Sequence, residues 1–192
     1  MKAILKILLV LFAIQGYSQT IIPLEDFENI ENRIKTTSDY YYKDVNGVLD
    51  KFLGTWRYQT ANELFEITFT KKTNHRSGMG YYEDFLISRY KYVKNGVVIY
   101  DTYPILQPTG KDPSQFIDGG IIKKPDLNKI ILTYDEPSDI GDYGQLLYLE
   151  YTPLTQKLNW YLDAILYDDP DNPGELTSGY KIPYLMNLTK VN

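Results

Sequence analysis

The sequence predicts an all-β protein, an up-and-down antiparallel barrel of about eight to nine strands with a short N-terminal helix. Two observations support this fold class. Apolar and polar residues alternate with a period of two in one segment after another, as in residues 64–70, and this alternation is typical of strands with one buried face. Beyond Leu53, no segment keeps a helical period, and a meander of strands that closes on itself leaves no unpaired edge.

The first 18 residues have the pattern of a secretory signal peptide. Lys2 and Lys6 precede an apolar run, residues 7–14, and small residues follow it. The run is shorter than the roughly 20 residues that a membrane anchor needs. We therefore expect cleavage near Ser18, a secreted or periplasmic location, and a mature chain that begins at Gln19 and has no transmembrane span.

Residues 19–192 predict a single domain, with the helix and lead-in at 19–53 and the barrel at 54–192. Loss of two signal lysines leaves 18 basic against 25 acidic residues, a net charge of −7, which argues against a nucleic-acid partner. The chain has no cysteine and one histidine, His75, so disulfides, thiol chemistry and zinc cages are excluded. Because residues 73–78 have a loop-forming composition, we expect His75 in an exposed loop. Since no catalytic arrangement is found around this single histidine, we expect no enzymatic activity and no cofactor.

The helix and the strands can be placed in chain order. Pro23 opens a stretch in which apolar residues recur every three or four positions, which predicts an amphipathic helix containing Leu24, Phe27, Ile30 and Ile34. The first hairpin covers 54–72 and turns near Asn62. The second hairpin flanks Asn95-Gly96, a pair suited to a type I′ turn because both residues tolerate positive φ. Later strands are predicted at 115–123, 127–135, 145–152, 158–167 and 181–191.

The start of the first strand carries a resemblance to a known family. The segment FLGTW, with Gly54, Thr55 and Trp56, resembles the opening strand of the calycins, which include lipocalins and fatty-acid-binding proteins. The whole mature chain more closely resembles an uncharacterised family of secreted lipocalin-like proteins in Bacteroidota, which has no assigned activity. The resemblance implies that the Trp56 ring packs at the closed base of the barrel under a basic side chain from the last strand, for which Lys190 is the candidate. The Arg-x-Tyr of fatty-acid-binding proteins is missing, so that ligand class is not implied.

The lengths of the connections predict where a ligand binds. Long connections at 73–82, 104–114, 136–144 and 168–180 alternate with short turns, and counting strands places all four at the end that holds Trp56. This is the reverse of an ordinary lipocalin, so either the strand count is off by one or the working end is reversed. Long loops are often functional, and small ligands favour barrel mouths. We therefore expect a small amphipathic or polar-aromatic ligand inside the barrel at that end, held by Arg76, Tyr82, Gln107, Asp139 and Tyr143.

Two of these connections are acidic. The last one contains the calcium candidates Asp168, Asp169, Asp171 and Glu175, because carboxylate oxygens suit calcium. The segment departs from the calcium-loop pattern at Pro173 and Tyr180, and a solvated loop is the simpler interpretation, so we predict no metal site.

Tyrosine is the outlier in composition, with 19 of 192 residues, and it admits two interpretations. Strand tyrosines can line a polar-aromatic cavity, or they can pair across strands and fill the interior. A binding module therefore stands beside an alternative, a structural or protein-interaction barrel with a filled core that acts through its acidic loops.

Overall fold

The computed structural model describes residues 19–27, 39–104, 112, 116–122, 124–138, 144–164, 166–168, 176–177 and 179–191. Within them the strands are β1 (Thr20–Pro23), β2 (Tyr40–Lys43), β3 (Gly54–Gln59), β4 (Glu63–Arg76), β5 (Tyr82–Lys94), β6 (Val97–Asp101), β7 (Ile117–Ile122), β8 (Lys129–Tyr134), β9 (Gln145–Thr152), β10 (Lys157–Leu162), β11 (Tyr167–Asp168), β12 (Leu176–Thr177) and β13 (Leu185–Lys190). Two 3₁₀ helices, Leu24–Asp26 and Asp50–Phe52, complete the regular structure of this part of the chain.

Eight of the described strands close into an antiparallel barrel. Their order is β3, β4, β5, β7, β8, β9, β10 and β13, and β13 returns to β3, where Lys190 faces Trp56. Successive side chains of each strand point alternately into the barrel and out of it. In β10, for example, Leu158 and Trp160 are buried, whereas Lys157 before them and Tyr161 after them are exposed. The prediction of an all-β antiparallel barrel is confirmed.

Strand β5 is the one around which the sheet is arranged. One of its sides pairs with β4. Its other side pairs in turn with the lead-in strand β2 at Tyr82, with β7 at Leu86 and with β6 from Lys91 onward. Strands β6 and β7 therefore share one position beside β5, and both run antiparallel to it.

Because β6 and β7 pair with the same side of β5, the predicted position of the long connections must be corrected. We counted β6 as a full barrel strand, which reverses the apparent direction of every later strand. In the structure Tyr134 ends β8 opposite Gln145, which starts β9, at the end of the barrel that also holds the turn between β3 and β4. The connections 135–144 and 163–184 thus join strands at the end opposite to Trp56, and the prediction that all four long connections share the Trp56 end was wrong.

The first of the predicted long loops is largely strand. β4 continues to Arg76 through a bulge between Lys72 and His75, where Asn74 has a φ of 53°. His75 is half-buried, pairs with Glu83 and lies 4.9 Å from Phe85 between ring centroids. The prediction of an exposed loop histidine was therefore wrong, because the bulge restores pairing with β5 beyond the polar run.

The lead-in adds a parallel pair that the sequence did not predict. β1 pairs with β2 in parallel, with Thr20 opposite Tyr40. Of the helix predicted after Pro23, the described residues show a three-residue 3₁₀ helix at Leu24–Asp26, and Ile30 and Ile34 lie outside the described residues. No helix in the described part of the chain is long and apolar enough to cross a lipid bilayer.

A buried carboxylate fastens the lead-in to the barrel. Asp84, in β5, accepts hydrogen bonds from the Tyr41 hydroxyl at 2.5 Å and from the backbone N–H groups of Asp44 and Asn74, each at 3.0 Å. Burial and the bond to Asp84 raise the pKa of Tyr41 to about 12. Because Asp84 thus joins groups from the lead-in, β4 and β5, it holds these segments in one arrangement.

Candidate functional site

The predicted motif residues gather at one end of the barrel. Trp56 is fully buried, and its indole N–H donates to the Phe52 carbonyl at 2.8 Å. Lys190 Nζ lies 5.3 Å from the centroid of the Trp56 ring. The backbone of Gly54 has a φ of 97°, and the Thr55 hydroxyl is 2.9 Å from that of Thr68. The four residues therefore lie together around the buried Trp56 ring, where β13 meets β3.

Two of the five predicted ligand residues lie in the described part of the chain. Arg76 and Tyr82 face each other across β4 and β5, at the Trp56 end. Gln107, Asp139 and Tyr143 lie outside the described residues. Asp139 and Tyr143 fall in the connection between β8 and β9, whose described ends meet at the opposite end of the barrel. The predicted interior site required all long connections at one end of the barrel, but the described ends of these two connections lie at opposite ends.

The acidic connections are described only in part. Of the calcium candidates, Asp168 pairs with Leu176 between β11 and β12. Asp169, Asp171 and Glu175 lie outside the described residues. The described residues contain no cluster of three or more carboxylates or histidines that could hold a metal ion. Glu136, from the other acidic connection, is buried, where it accepts hydrogen bonds from the Tyr100 hydroxyl and from the Lys181 N–H.

Aromatic side chains from several strands are buried in the interior of the barrel. Phe65 lies between Tyr90 and Trp160, with ring centroids 5.5 Å and 5.2 Å away. The largest fully buried side chains of the described chain are Trp56, Trp160, Tyr42, Tyr90, Tyr92, Tyr134, Phe52, Phe65, Phe69, Leu49, Ile67 and Leu86. An eight-stranded barrel has room for little more than its own side chains. These rings occupy the space in which we expected a ligand.

Three polar atoms in this core have no hydrogen-bond partner among the described residues: the hydroxyls of Tyr90 and Tyr134 and the indole nitrogen of Trp160. The two hydroxyls are neighbours, yet they do not form a hydrogen bond of normal geometry. Burial raises the pKa of both tyrosines well above the usual value, so both stay neutral.

The surface of β8, β9, β10 and β13 carries an open groove of about 580 Å³, a volume typical of small-molecule sites. Its floor is the backbone of a row of core residues in register across the four strands: Ile130, Leu149, Trp160 and Met186. These side chains point inward and are buried. The groove therefore lies on the outer face of the barrel, between the outward-facing residues on either side of this row, and Tyr58 of β3 also lines it.

One wall of the groove, which we call the apolar row, consists of Ile131, Tyr148, Tyr161 and Leu185, in register on the four strands. Ile121 of β7 extends this row by one strand, opposite Ile131. The side chains of Tyr161 and Leu185 are 44% and 54% exposed, and the rings of Tyr148 and Tyr161 lie 5.9 Å apart. Contiguous exposed apolar surface of this kind marks interaction sites.

The other wall, which we call the polar row, consists of Lys129, Glu150, Asn159 and Asn187, again in register. Lys129 Nζ is 3.3 Å from a Glu150 carboxylate oxygen, so the two charges of this row compensate each other. The groove thus offers an aromatic and aliphatic wall opposite a wall of hydrogen-bonding groups with no net charge.

Sequence reasoning missed the groove, although a signal was present. Strand β9 has apolar residues in both phases of its alternation, with Leu147 and Leu149 inside and Leu146 and Tyr148 outside. A strand with two apolar faces predicts a second contact surface. Only the pairing register could show that the outer residues of four strands form continuous rows.

The comparisons with known proteins identify a family but no activity. Residues 1–190 match the model of a family described as a family of unknown function, DUF6705. The searches of the curated proteins and of the solved structures return no match. Because the family model covers nearly the whole sequence, the chain belongs to the DUF6705 family.

Proposed function

We propose that this protein is an exported, non-catalytic binding module whose ligand site is the outer groove of the barrel. The observation that carries the proposal is the pair of in-register rows, one apolar and one polar, above a groove of about 580 Å³. A ligand with an apolar side and a polar side fits these walls, which supports the predicted class of small amphipathic or polar-aromatic ligands. The filled interior argues for the outer face as the place where it binds.

A non-catalytic role is supported by the surroundings of the single histidine. His75 packs beside Phe85, and burial and the nearby charge of Lys72 lower its pKa. Such an imidazole is neutral at pH 7, its ring packs against Phe85, and its acidic neighbours are Glu83 and Asp118. The export proposal rests on the N-terminal pattern, and cleavage after Ser18 would leave every described strand intact because β1 begins at Thr20. A source among the Bacteroidota stays a prediction.

The filled core also supports the second candidate, a protein-interaction barrel that acts through its acidic loops. The burial of Glu136 weakens it, because this carboxylate is turned towards Tyr100 and away from the surface.

The proposal can be tested by fluorescence titration with Nile red, a neutral amphipathic dye. We expect saturable binding to the wild-type protein and at least tenfold weaker binding to a Tyr161→Ser/Leu185→Ser variant, since two exposed apolar contacts are removed, each contributing about 1 kcal/mol or more. The control is Tyr103→Ser, an exposed tyrosine with 41% exposure that contacts Thr68 of β4 instead of the groove. Equal binding by all three proteins would contradict the groove as the site.

A further inference from the structure

We propose that the ligand of the outer groove is a neutral glycan chain. This inference rests on the proposed function, since it names the chemical class that the two walls of the same groove would recognise. Four properties of the groove carry it: its width, the state of the backbone in its floor, its charge, and the chemistry of its two walls.

The width of the groove excludes a helix as the occupant. On each strand the two walls are two residues apart, for example Asn159 and Tyr161 on β10. Two residues of a β-strand span about 6.6 Å, whereas an α-helix with its side chains is about 10–12 Å across. A flat ring or an extended chain fits this width, and a helix would rest on top of both walls.

The floor of the groove excludes strand addition by a peptide. Trp160 pairs with Leu149 on one side and with Met186 on the other, so the backbone of β10 is used in ladders on both sides. β9 likewise pairs with both β8 and β10. A peptide recognised by strand addition needs a free sheet edge for its N–H and C=O groups, and the groove crosses the strands at a place where none exists.

The charge of the groove favours an uncharged ligand. Lys129 and Glu150 are the charged side chains that line it, and their charged atoms are 3.3 Å apart. A phosphate, a carboxylate or a cation entering here would meet as much repulsion as attraction. The overall excess of acidic residues adds further repulsion against anionic ligands such as nucleic acids.

The chemistry of the walls matches alternating hydroxyl and C–H surfaces. Asn159 and Asn187 face each other in register, and each side-chain amide offers donors and an acceptor that suit a hydroxyl group, itself both donor and acceptor. The Tyr148 and Tyr161 rings, tilted by 34° to each other, present adjoining apolar faces on the opposite wall. The four strands extend over about 14 Å, three strand spacings of about 4.8 Å, which suits several linked rings better than one.

The test is a titration of ¹⁵N-labelled protein followed by NMR, with cellohexaose, xylohexaose and mannohexaose as neutral probes and hexagalacturonic acid as the acidic probe. We expect at least one neutral hexasaccharide to shift the backbone amides of Asn159, Tyr161 and Asn187 in a saturable way, and to displace Nile red. The acidic probe should bind at least tenfold more weakly. Tyr161→Ala and Asn187→Ala, both at exposed positions, should each weaken binding at least fivefold, and Tyr103→Ala should leave it unchanged.

The outcomes separate this inference from the proposed function. If Nile red shifts the groove amides and no neutral hexasaccharide does, the glycan inference is overturned and the groove remains a binding site. Binding of hexagalacturonic acid as tight as that of the neutral probes would also overturn it. If neither the dye nor any saccharide shifts these amides, both proposals fail.

Discussion

The indole of Trp56 closes one end of the barrel, and its environment explains why a smaller residue should fail there. The ring is fully buried, its N–H bonds to the Phe52 carbonyl, and Lys190 lies over one face. We expect Trp56→Ala to lower the free energy of unfolding by about 3–5 kcal/mol, as for other truncations of buried aromatic residues. Urea unfolding followed by circular dichroism measures this. An unfolding midpoint equal to that of the wild type would show that the ring does not hold the barrel closed.

Gly54 supplies the backbone angle that brings Lys190 over this ring. A residue with a side chain would have a strained backbone at a φ of 97°, and its Cβ atom would lie 3.3 Å from Lys190 Cε. We expect Gly54→Ala to cost about 1–3 kcal/mol. Gly96→Ala is the control, because its φ of 75° is also positive but a Cβ there meets open space. If the two variants unfold at the same urea concentration, contact with Lys190 contributes nothing beyond backbone strain.

The unpartnered hydroxyls of Tyr90 and Tyr134 lead to an expectation opposite to the usual one for core substitutions. Replacing both by phenylalanine removes two buried polar groups that lack normal hydrogen bonds, so we expect the double variant to be as stable as the wild type or more stable. Tyr100→Phe should instead cost about 1–3 kcal/mol, because it removes a donor from the buried Glu136 carboxylate. Thermal unfolding compares the three proteins. A large loss in the double variant would indicate partners for these hydroxyls inside the core.

At the scale of elements, the junction of β2, β4 and β5 contains a carboxyl group that responds to pH. Glu83 pairs with Tyr42 of β2 and with His75 of β4. Burial, together with the negative charge of Asp118, raises its pKa from 4.5 to about 7. His75 does not compensate this charge, since its own pKa is lowered.

The sign of the effect on stability follows from linkage. Between pH 4.5 and 7 the folded protein holds the Glu83 proton more tightly than the unfolded chain does, so stability falls as the pH rises through this window. We expect Glu83→Gln to match the wild type near pH 4 and to exceed it at pH 8 by on the order of 2 kcal/mol. Urea unfolding at both pH values, with Glu150→Gln on the outer face as the control, measures this. An equal loss of stability in wild type and Glu83→Gln would contradict the assignment.

At the scale of the whole molecule, the barrel must be stable without covalent crosslinks, because the chain contains no cysteine. Its filled interior is compatible with this: aromatic residues bury large areas, and an eight-stranded barrel leaves them little free space. This burial of aromatic side chains in the interior is one reason why we propose the outer groove of four strands as the ligand site.

The proposed export concerns the whole chain, and it predicts a defined mature terminus. We expect the protein recovered from the extracytoplasmic fraction of its host to begin at Gln19, because the basic, apolar and small-residue segments stand in the order that signal peptidases require. Intact-mass analysis of the purified protein identifies the terminus. Recovery of a chain that still begins at Met1 would contradict cleavage.

The sequence by itself determined the elements that depend on local chemistry. Period-two alternation set which residues of each strand face the core, and Asn95-Gly96 placed a hairpin turn because both residues tolerate positive φ, here 51° and 75°. The FLGTW segment, through its resemblance, led to the pairing of Trp56 with Lys190, residues 134 positions apart in the numbering, which lie together in the structure.

Only the tertiary structure decided the features that depend on which strands are neighbours. That β6 and β7 share one side of β5 cannot be read from either segment, yet it reverses the direction of every later strand and moves the long connections to the other end. The outer groove has the same origin. Tyr148, Tyr161 and Leu185 lie on three separate strands. They form one wall only through the register of β9, β10 and β13, because register is set by pairing across the whole barrel and not by the residues of one strand.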